Sequence, residues 1–154
     1  MMRRTSLGDI AVPFAVIGVT AYVLLRVSYG SIPPLQLYVP IPIAILGVAE
    51  LVAARRVRAV LRHDPDAKPM TAIDIARCVA LGKASALVAA GVAGAAVALL
   101  VRVIPDVGTV RAAAGDLRVG IFLLLAGLVL LLAGVLLERA GIDPNRGSPP
   151  TAGT

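Results

Sequence analysis

From Val119 to Leu137 the chain runs nineteen residues without a single charge, and leucine dominates the stretch. As a helix those residues rise about 28 Å, close to the roughly 30 Å hydrocarbon core of a bilayer. Further uncharged blocks lie at Ile10–Leu25, Val27–Ala49 and Ala84–Val101. Charged residues make up only 16% of the chain and hydrophobic ones 58%. A soluble domain carries about a quarter charged residues and roughly half apolar ones, so a surface built from these blocks cannot face water. The expectation is an all-α integral membrane protein. Its 154 residues hold four transmembrane helices and short loops, and leave no room for a separate soluble catalytic domain.

The breaks between blocks set the boundaries. The first span is expected over about 8–27, with Asp9 capping its start and Pro13 near its first turn, where proline is tolerated. Met1-Met2-Arg3-Arg4 resembles the basic end of a signal peptide. The apolar stretch behind it is longer than a typical signal core and no small-residue cleavage site follows, so it is read as a retained span. Ser28 to Pro34 carries turn chemistry, since Gly30 is flexible and Pro33 and Pro34 lack amide donors. The second span follows at about 35–54, its start falling between Leu35 and Ile41. Its helix continues through the basic cluster, with Arg55, Arg58 and Arg62 on one face. His63 to Pro69 is a polar break in the cytoplasmic loop 55–70. Thr71 caps a long third helix, whose spanning part is about 82–104 and whose first turns protrude from the bilayer. Asp106 to Arg118 reads as a polar loop, and the fourth span as about 119–138. The spans form two hairpins in one membrane domain, 1–139. Residues 140–154, rich in proline and glycine, cannot bury a core and read as a disordered tail.

Sidedness follows from charge. With the N-terminus inside, eleven of the fifteen basic residues fall on or near the cytoplasmic side, and four (Arg26, Arg102, Arg111, Arg118) fall outside. The positive-inside rule selects that orientation, with both termini cytoplasmic in the plasma membrane. Tyr22, Tyr29 and Tyr38 then gather near the outer interface as an aromatic belt. The net charge of +6 is accounted for by these flanks, and nucleic acid is not an expected partner.

Few residues carry chemistry. One cysteine, Cys78, excludes an internal disulfide, and one histidine, His63, excludes a multi-histidine metal or haem site. No cofactor is expected. Gly82, Ala86, Ala90, Gly94 and Ala98 recur every four positions, the small-residue spacing that lets helix backbones approach closely. That stripe packs against sister spans or against another protein, and the first is the expectation. Glu50 is the one acidic residue inside an expected span, and ionisable groups there are costly unless paired. It is expected near the inner boundary, within ion-pair or water-bridged reach of Arg77 or Lys83 or in a helical pair within its own turn; Glu50, Arg77, Lys83 and Ser85 are the candidate polar residues. Arg55, Arg56, Arg58 and Arg62 suit anionic lipid headgroups, at about 1 kcal/mol per basic residue near the surface. No phosphate loop, Ser/His/Asp set or catalytic carboxylate pair appears.

The stretch Ala76-Arg77, then Lys83-Ala84-Ser85, resembles the signature at the third span of a family of small actinobacterial membrane proteins, domain of unknown function 3180. Tyr29-Gly30, Pro33-Pro34, Glu50, Arg58 and Pro105 match in spacing as well. Two departures stand out: Asp116-Leu117-Arg118, where relatives tend to have Asp-Thr-Pro, and Ala140-Gly141, where some carry two cysteines. The resemblance runs from Arg4 to about Glu138. It implies a four-span protein of the actinobacterial plasma membrane, often encoded near folate-biosynthesis genes, and no known activity. The expected function is non-enzymatic, an assembly component that forms a homo-oligomer or joins a larger membrane complex. The alternative is a small transporter or channel subunit using Glu50, Arg77 and Lys83.

Overall fold

The computed structural model describes residues 6–31, 35–62, 64 and 69–141. Arg3, Arg4, Pro33, Pro34, His63, Lys68 and the tail from residue 142 lie outside the described residues. Among the described residues there are four α-helices: α1 (Leu7–Ser28), α2 (Ile41–Leu61), α3 (Ala72–Val103) and α4 (Arg111–Ala140). Short 3-10 turns, Tyr29–Ser31 and Ile104–Asp106, follow α1 and α3. Three stretches are long and apolar enough to cross a membrane: Leu7–Ser28, Ala72–Asp106 and Ala112–Ala140.

Local chemistry explains most of the boundaries. Ser6, not Asp9, is the N-cap of α1: its hydroxyl accepts from the Asp9 amide while Asp9 accepts from the Ser6 amide, a reciprocal capping box. Thr71 and Asp74 build the same device at the start of α3, where Thr71 was expected to cap. Helix α2 begins at Ile41, the late end of the Leu35–Ile41 window expected for its start. Pro40 and Pro42 sit at its start, where missing amide donors cost nothing. Its charge-free part before Arg55, interrupted only by Glu50, is therefore Ile41–Ala54, about 21 Å at 1.5 Å per residue. That shortness is why α2 is not among the helices that qualify as spans on length and composition.

Helix α4 begins earlier than expected, at Arg111. The polar loop is thus confined to residues 107–110, and Asp116 stands on a helix. At the other end Ala140, expected in the tail, is the last residue of α4 and is buried.

The packing order is α1–α3–α4–α2. Helix α3 lies between α1 and α4, α4 packs on α3 and α2, α2 touches α3 only slightly, and α1 does not meet α2. The expected first hairpin is therefore not a packed pair, because each of its helices docks on a different member of the α3–α4 hairpin. Small residues explain the choice. A methyl group on Gly94 would collide with the Phe14 carbonyl of α1, and one on Gly18 would lie 3.2 Å from the Gly94 carbonyl oxygen. One on Gly82 would lie 2.7 Å from the Gly134 oxygen of α4, and one on Gly47 of α2 would lie 3.2 Å from the Leu130 amide nitrogen of α4. Backbone meets backbone at each helix pair. Gly82, Ala86, Ala90, Gly94 and Ala98 are all buried, so the stripe is used inside the chain.

Two apolar clusters close the ends. Leu99, Val103 and Ala113 pack with Leu25, Tyr29 and Leu35 at one end. Ala54, Val57, Leu137 and Ala140 pack with Met70, Ile75 and Cys78 at the other. Helix α2 therefore runs alongside α4 in the same direction, from the first cluster to the second. Outside these contacts the surface is strongly apolar: Val12, Val16, Val19 and Val23 on α1 and Ile45, Val48 and Val52 on α2 are exposed. Patches of this extent mark a membrane or a protein partner.

Candidate functional site

Two polar groupings stand out among the described residues. The first is Glu50, which is 1% exposed. Helix α2 turns it inward because Gly47, Glu50, Ala54 and Val57, spaced three or four apart, form the buried face. Neither of its carboxyl oxygens has a hydrogen-bond partner. The buried Ser85 hydroxyl of α3 is beside it but does not meet hydrogen-bond geometry.

The expected reach to Arg77 or Lys83 is not realised. Lys83 precedes Ser85 by two residues, which on a helix is about 200° around the axis, so the side of α3 that faces Glu50 is not the side bearing Lys83. Arg77 lies eight residues before Ser85, about 12 Å along the axis, and is exposed. Lys83 is half-buried. Of the four expected polar residues, the structure brings together Glu50 and Ser85 and leaves Arg77 and Lys83 apart from them. Arg55, Arg56, Arg58 and Arg62 are all exposed, whereas Ala54 just before them and Val57 among them are buried.

The second grouping was not anticipated. Asp116, only 4% exposed, accepts a 2.6 Å hydrogen bond from the Tyr29 hydroxyl and a 3.0 Å bond from the Leu35 amide. One carboxylate thereby ties the end of α1 and the entry to α2 onto α4. Arg102 lies over the Tyr29 ring, 4.8 Å from its centroid, and pairs with Asp106. Burial, then the hydrogen bond to Asp116 and its negative charge, push the Tyr29 phenol up to about 12, against a smaller opposing pull from Arg102. The i, i+4 spacing of Arg102 and Asp106 was visible in the sequence. Asp116 was not, because a residue assigned to a polar loop carries no signal of burial.

Among the described residues, no group of three or more His, Cys, Asp or Glu side chains is placed to hold a metal ion. The described part is all-helical, and three of its stretches are long and apolar enough to cross a membrane, which is compatible with a membrane protein. The chain belongs to the family described as Protein of unknown function (DUF3180), which matches residues 10–144. No match was found among curated proteins or among solved structures.

Proposed function

We propose that this protein is a four-span plasma-membrane protein, with both termini cytoplasmic, that acts by assembling with a second copy or a larger membrane complex rather than by catalysis. The observation that carries the assembly reading is α1. It has no buried residue along its 22-residue length, and among the described helices it packs along its length on α3 alone. A span held along one edge keeps most of its surface for lipid or for a partner, and α1 and α2 leave the layer open instead of closing a bundle. The fourth span is supported by α2 running beside α4 from the Asp116 end to the Leu137 end. An actinobacterial membrane is the setting that the family resemblance implies.

The mass of the purified protein in nanodiscs tests this reading, together with disulfide or photo-cross-links from Val16 and Val23. Assembly predicts a multiple of the 15.7 kDa chain or a cross-linked partner from native membranes. A single-chain mass with no cross-link through α1 would contradict it.

Glu50 favours a second reading, a solute or proton path, because a buried carboxyl without a partner is costly to keep. Replacing it separates the two. If it serves only packing, Glu50→Leu should raise stability by about 1–4 kcal/mol, as when buried ionisable groups give way to apolar ones of similar size, and leave liposome fluxes unchanged. If it carries transport, Glu50→Gln should abolish flux with stability intact.

A further inference from the structure

Between α2 and α4 runs an apolar groove of about 470 Å³, lined by Pro40, Ala44 and Val48 on one wall and Phe122, Ala126 and Val129 on the other. From Pro40 to Val48 it extends about 12 Å along α2. That is close to the roughly 15 Å depth of one leaflet's acyl layer, half the hydrocarbon core. It therefore starts near the Asp116 end and stops near mid-membrane. Arg118 is exposed on α4 and stands one turn beyond Phe122, with Phe122, Leu125 and Val129 following at i+4, i+7 and i+11 on the same face. Tyr38, also exposed, adjoins Leu37 at the groove's opposite lip. An apolar slot of one-leaflet depth, with an exposed arginine one turn beyond its headgroup end on the same helix face, matches a lipid tail under a phosphodiester, which arginine binds through paired N–H donors.

We propose that this groove seats one acyl chain of a phospholipid from the leaflet at the Arg118 end, with its phosphate on the Arg118 guanidinium. The site stands on membrane embedding of α2 and α4 and is separate from the assembly reading.

Native mass spectrometry of the full-length, delipidated protein titrated with dioleoyl phosphatidylglycerol tests it, with diacylglycerol as the phosphate-free comparison. One phosphatidylglycerol should be retained beyond the loosely held shell, and diacylglycerol more weakly. Arg118→Gln, a surface change, should weaken retention by about tenfold, the loss of one charge-assisted contact. Ala44→Leu should abolish retention by filling the slot, whereas Ala84→Leu on the exposed side of α3 should leave it unchanged. Unaltered helicity in all three variants keeps the comparison valid. Equal retention by Arg118→Gln, Ala44→Leu and the wild type would overturn the site. So would efficient disulfide formation between copies through Val48→Cys, which would give the groove to a second chain.

Discussion

Gly82→Leu is expected to cost the folded protein about 3 kcal/mol or more, the upper end of what overpacking does in a tight interior. The cause is backbone contact: a methyl group at this position already lies 2.7 Å from the Gly134 oxygen and 3.0 Å from the Glu138 amide nitrogen. Neither is a side-chain tip that can swing aside. Gly94→Leu should be as severe at the α1–α3 crossing, because the obstacle there is the Phe14 carbonyl, and it should free α1 in particular. Ala84→Leu, on the exposed side of the same helix, should stay within about 0.5 kcal/mol. Thermal melting in detergent measures all three. Equal tolerance of Gly82→Leu and Ala84→Leu would mean that α3 is not the packing core.

Asp116→Ala is the second large effect. The carboxylate accepts from the Tyr29 hydroxyl and the Leu35 amide, and hydrogen bonds to a charged group contribute about 1.5–3 kcal/mol each. A loss of about 3 kcal/mol is expected, with the end of α1 and the entry to α2 loosened together. The same variant reports on Tyr29. Its phenol is raised from 10.0 to about 12, so the folded state holds that proton more tightly than the unfolded chain does. The corresponding stability is full below pH 10 and is lost as pH rises through about 12. Without Asp116 the titration should fall part of the way back, since burial, the largest cause, remains. Phenolate absorbance against pH follows it, with Tyr29→Phe as the reference lacking this group. An unmoved titration and an unmoved melting temperature would show that the bonds hold nothing.

What could be read in the sequence was set by period and charge. The uncharged blocks announce the helices because a bilayer tolerates nothing else at that length, and the four-residue recurrence of small residues in α3 announces its buried face. Thr71 was legible because its capping partner Asp74 follows three residues later. The order of packing was not legible. Local chain continuity suggests that neighbouring spans pair, but whether α1 settles on α2 or on α3 is decided by where glycines on two distant helices coincide, as Gly18 and Gly94 do. Glu50 was legible as a candidate from its place in an uncharged block, whereas its neighbour was not. Its depth can be counted from the helix start, whereas its direction depends on the rotation of α2 against α4, which turns it to Ser85 and away from Lys83. Asp116 failed for a different reason. Two arginines flank it at Arg111 and Arg118, and a charge-dense stretch gives no local hint that one carboxylate turns inward to organise three elements.

The account turns on α2 crossing the full membrane, which alone lets α1 and α3 run parallel with their C-terminal ends together near Asp116. Cysteine accessibility tests this directly in a Cys78→Ala background, with Ser31→Cys, Gly108→Cys and Asp64→Cys labelled in intact spheroplasts by a membrane-impermeant maleimide. The account predicts labelling at Ser31 and Gly108, and labelling at Asp64 only after the membrane is permeabilised. Labelling of Ser31 and Asp64 from the same side, before permeabilisation, would show that α2 does not cross and would contradict it.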